Sequence, residues 1–322
     1  MRYISKAGMV LAGLLIFIVS FLLGASLTKT TPGLILFATG INHWEYQGRE
    51  QSMLISSDGQ ELARLGYKRI YSEDFPDFLK QTVVAVEDKR FYQHAGLDTR
   101  GIGRAIWNDL KTASKEEGGS TITQQLARTL FLSQDKTMSR KIKEVFIATA
   151  LEEKFGKDAI LNMYLNEIYM GRGCSGMATA AHYYFGKDVY SLTKSEICLL
   201  VGIIQSPEFY SPEHNFDGLK ARQETVINVL LEQNITSTEE TENLKAGALH
   251  IKAFEPEKQS YPYITAYVTP ELEHILGSRE LYQGGLKIYL TLDSRVQKAA
   301  EKAVKNNVRS FSYRGISAGD AS

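Results

Sequence analysis

The sequence predicts a mainly helical domain with a few short strands, carried outside the cytoplasm on an N-terminal membrane helix. Three observations lead there. From about residue 76 to 235, apolar residues recur at helical spacing behind repeated capping signals. Before them, short alternating pieces flank a turn signal at Asp58-Gly59. At the start, an uncharged run from Ala7 to Thr28 follows Arg2 and Lys6. With 322 residues, 43% hydrophobic and 23% charged, the chain is long enough for one large domain, or one with a smaller appendage.

The uncharged run comes first. Its 22 residues, at about 1.5 Å each, reach roughly 33 Å, enough for a bilayer core. The positive flank precedes it, which places the rest of the chain outside the cytoplasm. A cleaved signal peptide is the other reading, although the run is longer than a usual signal core and no A-x-A site follows. Residues 1–28 are therefore read as a cytoplasmic tip and anchor. Residues 29–75 are a linker with a small strand-bearing region, where SMLISS and ELARLGYKRIY alternate around the turn.

The helical stretch 76–235 has its own punctuation. Thr121 and Gln124 form a capping box opening ITQQLARTLFL. Ser139 stands before RKIKEVFIATALEEKF, in which Ile142, Val145, Phe146 and Thr149 fall on one face. Asp158 is placed to cap AILNMYLNEIYM, and Thr193 with Glu196 forms a second box before ICLLVGIIQ, which stops ahead of Pro207. Residues 236–258 are polar and acidic, a loop or an exposed helix. In the tail, GGLKIYLTLD reads as a glycine-led strand and SRVQKAAEKAVKNNV as an amphipathic helix.

Charge and cysteines exclude some functions. Equal numbers of basic and acidic residues, 37 each, argue against nucleic acid as a partner, since phosphate binding leaves a basic excess. Cys174 and Cys198 have no metal-ligand spacing and lie in apolar helical surroundings, so both are expected as core residues, with a disulfide between them the lesser alternative.

Three features stand outside the apolar pattern. VVAV runs straight into Glu87-Asp88, followed by Phe91, His94 and Gly96. Such a pair is either charge leaving the core or a carboxylate held at a cleft edge with its proton affinity tuned. The second is GGSTITQQ, Gly118 to Gln125, where glycines, hydroxyls and amides gather at a helix N-terminus that suits anions or is simply well capped. The third is RKIKE, where Arg140 and Lys141 lie four and three residues before Glu144. Their face continues through Ala148 and Leu151 and so points inward; a surface ion pair and a site for an anionic ligand both fit. Two carboxylates on a helical domain suit glycosidic chemistry, with hydrolysis and transfer both open. The anchor and the cation pair favour transfer from a phosphate-linked lipid donor.

In order, EDKRFYQHAG, GGSTITQQLARTLF, RKIKE, KDAILNMYLNEIYMGRGCSGMATAAHYYFGK and the helix ending at Gln205-Ser206-Pro207 resemble the motifs of the peptidoglycan glycosyltransferases, family 51, over roughly residues 75 to 215. The resemblance implies a lysozyme-like fold of two lobes, the smaller beside the membrane. It implies polymerisation of lipid II into β-1,4 glycan strands, with inversion at the anomeric carbon and release of undecaprenyl diphosphate. Glu87 matches the general base, and Glu144 the glutamate at the donor diphosphate, with Arg140 and Lys141 beside it. Asp88, Ser120, Thr121, Gln124, Gln125 and Arg128 match substrate-binding positions. Asn166 and Gly171 match structural positions, and His94 is read as structural. Mg²⁺ or another divalent ion is the implied cofactor. The implied partners are lipid II, the growing lipid-linked chain, the membrane and a separate transpeptidase, with the catalytic domain on the outer side of a bacterial cytoplasmic membrane.

Residues 236–322 resemble the lead-in to a transpeptidase domain that the sequence does not go on to include. Ser133 to Lys136 and Ser191 to Lys194 fit S-x-x-K but have no K-T-G partner, so no acyl-serine chemistry is expected. Two rivals stay in view: a lysozyme-like glycan-cleaving enzyme, which RKIKE beside the second glutamate argues against, and a non-catalytic cell-wall scaffold, which has no chemical need for Glu87 or Glu144.

Overall fold

A computed structural model describes residues 39–98, 120–132, 137–212, 215–252 and 260–313. The expected anchor and the Ser133–Lys136 match lie outside these residues. Among the described residues no helix is long and apolar enough to cross a membrane. The structure is mainly helical with a few short strands and divides into two compact units, residues 1–46 with 90–161 and residues 47–89 with 162–322.

The first unit is built on helices α2 (Ile122–Phe131) and α3 (Met138–Lys154), which pack together and on which Ile122, Leu126, Val145, Ala148 and Leu151 are buried. The Thr121–Gln124 capping box is present as expected. The cap of α3 is Thr137 rather than Ser139: its hydroxyl accepts the Arg140 N–H at 3.2 Å, and the helix starts one residue before Ser139. A short turn, Ile41–His43, lies on the end of α3, where Lys154 Nζ donates to the carbonyls of Ile41 (2.9 Å), Asn42 (3.0 Å) and Trp44. Cations suit the carbonyl end of a turn or helix, and here one ammonium serves three acceptors. Trp44 meets Phe131 and Phe155 edge-on, at centroid distances of 4.8 and 6.1 Å.

Helix α4 (Lys157–Glu167), within which the unit boundary falls, begins before Asp158. Asp158 therefore sits in the first turn instead of capping, and its carboxylate accepts from Tyr92 Oη at 3.2 Å.

The second unit contains helices α1 (Asp77–Glu87), α5 (Met177–Phe185), α6 (Lys194–Ile203), α7 (Phe216–Glu232), α8 (Thr238–Ala246), α9 (Pro262–Leu276), α10 (Ser278–Gln283) and α11 (Ser294–Tyr313). Helix α6 opens with Lys194 exposed, is buried from Ser195 to Ile203 and is apolar on every side from Ile197 onward, with α1 and α7 packed on it. Its Thr193–Glu196 capping box is present as expected. Cys198 lies on α6 and Cys174 follows α4; both are buried and free, and burial pushes the Cys198 thiol up to about 12. Neither is reactive at neutral pH.

The acidic stretch after residue 236 forms α8, capped by Ser237. Helix α9 runs through Pro270, which lacks the N–H of a helical residue and is rare in a helix interior. Strands β1 (Met53–Ile55) and β2 (Glu61–Arg64) pair antiparallel around the turn at Asp58-Gly59, and β3 (Lys287–Tyr289) joins β1 in parallel, giving the order β2-β1-β3.

Candidate active site

The RKIKE face is buried as its spacing required. On α3, Glu144 is 0% exposed, and its carboxylate takes one cation on each oxygen: Arg140 Nη1 at 2.8 Å on Oε2 and Lys141 Nζ on Oε1. The pairs are i,i+4 and i,i+3, and a cation on each oxygen is what offsets the desolvation of a buried carboxylate. Lys141 Nζ also donates to Ser120 Oγ at 2.9 Å. The Arg140 side chain is 13% exposed and that of Lys141 39%, so the cluster is anionic at its base and cationic toward the open side.

Ser120 leads into α2, and Thr121 behind it is 3% exposed. The Thr121 hydroxyl accepts from Gln124 N at 3.1 Å and donates to the Gly96 carbonyl at 2.7 Å. Gln124 Oε1 answers by accepting from Thr121 N at 3.0 Å. Gly96, at φ +80°, lies flat on α3: a Cβ there would stand 3.0 Å from the Ala148 carbonyl, one turn beyond Glu144. Gln125 is half-buried on α2. Arg128 lies in the last turn of α2, and its Nε is buried with no hydrogen-bond partner among the described residues. His94 packs edge-on to Phe91, at a centroid distance of 6.3 Å.

Glu87 and Asp88 belong to the second unit. Glu87 is the last residue of α1 and is half-buried. Leu79, Val83 and Ala85 are buried on the same helix, so VVAV is scaffold and the acid stands where it ends. Asp88 is the C-cap, buried, with its N–H on the Val84 carbonyl at 3.0 Å. In the same unit, Asn166 holds residue 72 from both sides, accepting from Ser72 N and donating to its carbonyl at 2.9 Å each. Gly171, at φ +86°, leaves no room for a Cβ, which would meet the Pro207 carbonyl at 2.7 Å.

The structure thus joins Ser120, Arg140, Lys141 and Glu144, and separately joins Thr121, Gln124 and Gly96. Two acids escaped the sequence reading: Glu167, 1% exposed and paired with Arg69 Nη1 at 2.7 Å in the second unit, and Glu152 in the first. Glu152, on α3, accepts from Thr123 Oγ1 at 2.5 Å and Lys157 Nζ at 2.6 Å, tying α2 to α3 beside the capping box. Its partners lie 29 and five residues away, so no helical spacing marks it.

Both oxygens of Glu144 carry a cation, and no three His, Cys, Asp or Glu side chains gather among the described residues, so a divalent ion here would draw most of its oxygen ligands from the diphosphate.

A transglycosylase family model matches residues 58–231. The chain belongs to the transglycosylase family. Penicillin-binding protein 1F of Bacillus subtilis (strain 168) is 39% identical to this chain over 265 residues, 79% of this chain and 36% of that protein. Penicillin-binding protein 1A of Neisseria lactamica is 37% identical over 278 residues, 84% of this chain and 35% of that protein. This chain spans little more than a third of the length of these curated relatives. A solved structure, penicillin-binding protein 1A from Haemophilus influenzae, matches over 84% of this chain and 30% of its own at 22% identity, with a TM-score of 0.41.

Proposed function

We propose that this chain is a membrane-anchored peptidoglycan glycosyltransferase that polymerises lipid II into β-1,4 glycan strands and releases undecaprenyl diphosphate. The observation that carries the reading is the buried Glu144 beneath Arg140 and Lys141. A leaving diphosphate departs with the electron pair of the broken bond and needs positive charge in place beforehand. A cation pair locked to a buried acid supplies that without reorganisation.

In the proposed step, Glu87 takes the proton from the acceptor sugar's 4-hydroxyl. The oxygen attacks the donor's anomeric carbon from the face opposite the diphosphate, and the carbon–oxygen bond to the diphosphate breaks with inversion. Glu87 stands at the carbonyl end of α1, where negative charge is least stabilised, a setting that suits a proton acceptor. Arg140 and Lys141 receive the charge that develops, and Glu144 holds both in place. Ser120, Asp88, Gln125 and Arg128 contact substrate, the Nε of Arg128, without a partner among the described residues, being a donor available for it. Mg²⁺ has no step in this scheme.

The lysozyme-like fold of two lobes, the anchor in residues 1–28, placement outside a bacterial cytoplasmic membrane and work beside a separate transpeptidase belong to the same proposal. The test is incubation of the detergent-solubilised chain with labelled lipid II, with products resolved on a gel beside Glu87→Gln. The wild type should give polymer, and the variant should lose about 10²- to 10⁴-fold in rate while remaining folded. No polymer from a folded wild type overturns the reading.

A further inference from the structure

We infer that Thr121 is a positioning residue for the transfer step and not a substrate contact, acting through its hydrogen bond to the Gly96 carbonyl. The inference rests on the proposed reaction and concerns how its cationic cluster is kept in place.

A threonine hydroxyl has a single proton to donate. Here that proton goes to Gly96 O at 2.7 Å, while a lone pair receives Gln124 N at 3.1 Å. A phosphate or carboxylate oxygen needs a donor, and Thr121 has none left. Its side chain is also buried, and its capping partner Gln124 has spent its carbonyl oxygen on Thr121 N.

Capping alone does not account for the bond to Gly96. A cap needs only an acceptor, which Ser, Asn or Asp supplies as well. The donated proton instead fastens the 94–96 loop to the start of α2. That loop rests on the backbone of α3 at Ala148 and Thr149, where a Cβ would press at 3.0–3.1 Å and the φ of +80° favours glycine. Thr121 is therefore the pin between three pieces of the unit: loop, α2 and α3. Ser120, the residue before it, sets the second contact of Lys141 Nζ. Releasing the pin frees Ser120 to move and lets the ammonium drift from where the diphosphate must find it. A displacement of about 1 Å at a reacting group is worth up to about 10²-fold in rate.

The test compares Thr121→Val, which keeps the shape and removes the hydroxyl, with Thr121→Ser, which restores it. Rates are measured with labelled lipid II per folded molecule, beside wild type and Glu87→Gln, with thermal melts for each. Thr121→Val should lower kcat at least about tenfold with KM within about twofold, and Thr121→Ser should recover to within about twofold of wild type. A raised KM with unchanged kcat would make Thr121 a substrate contact. Unchanged kcat and KM with a lowered melting temperature would make it a cap and nothing more. Failure of Thr121→Ser to recover would assign the effect to the methyl group. Each of these overturns the inference. If Thr121→Val does not fold, Gly96→Ala decides, because it keeps the hydroxyl and presses a Cβ on α3: the same loss of kcat is expected, and a wild-type kcat overturns the inference. No polymer from wild type sinks the transfer reading, and this inference with it. Polymer from wild type and from Thr121→Val alike sinks this inference alone.

Discussion

Glu144 shows how far single residues could be read from the chain. Its burial followed from Ala148 and Leu151 on the same helical face, and its two partners followed from i,i+3 and i,i+4 spacing. Ser120 on Lys141 did not follow, because the two are 21 residues apart and meet only where α2 packs on α3. Glu144→Gln keeps the shape and removes the charge. It should cost about 1.5–3 kcal/mol in urea unfolding, the range for hydrogen bonds to charged groups. That is below the about 3–5 kcal/mol for breaking a fully buried pair, since Lys141 is 39% exposed and turns to water. A loss under about 0.5 kcal/mol, within the ordinary range for surface changes, would mean that Glu144 does not hold the cations. Polymerisation should fall with it, because Arg140 and Lys141 lose their fixed seat.

Helices and their caps were the most legible parts of the chain. Both threonine capping boxes appear where T-x-x-Q and T-x-x-E place them, since a cap is a bond between neighbours in sequence. The starts of α3 and α4 each came out early, for the same reason in reverse: several residues there can cap, and packing chooses among them. Asn166 is the contrary case, a helical residue whose partner is the backbone at Ser72, 94 positions away. Asn166→Ala leaves a donor and an acceptor of residue 72 unmet and should cost about 1–3 kcal/mol. Chemical denaturation measures this, and an unchanged midpoint would show that water replaces the amide fully.

The sheet draws together the beginning and the end of its unit. Met53 N reaches the Leu286 carbonyl and Leu290 N the Ile55 carbonyl, both at 2.8 Å, so β3 closes a parallel ladder across more than 200 residues of chain. Next to it, Asp58 in the β1–β2 turn accepts from Ser294 N at 2.9 Å and Ser294 Oγ at 2.7 Å, at the first residue of α11. The Ser294 N–H, followed by the hydroxyls of Ser56 and Ser294, holds the Asp58 carboxyl well below the usual carboxylate range. A depressed folded value means that the stability the attachment contributes is full above the unfolded value of about 4 and falls progressively as pH drops below it toward the folded value. Hydrogen exchange in the first turn of α11 should therefore quicken relative to the rest of the unit as pH falls from about 5 to about 3. Asp58→Asn should abolish that dependence, and an identical profile in the variant would refute the attachment.

The sequence by itself determined the helical class, the two threonine caps, the inward face of RKIKE and the strand character of GGLKIYLTLD. All of these are interactions within one turn or one pleat, where neighbours in the chain are neighbours in space. Only the tertiary structure decided that Ser120 meets Lys141, that Thr121 gives its proton to Gly96, that Asn166 clasps Ser72 and that β3 pairs with β1. Those partners are 21 to more than 200 residues apart. Loop closure over such lengths leaves no periodic trace in the sequence, so packing alone selects the partner.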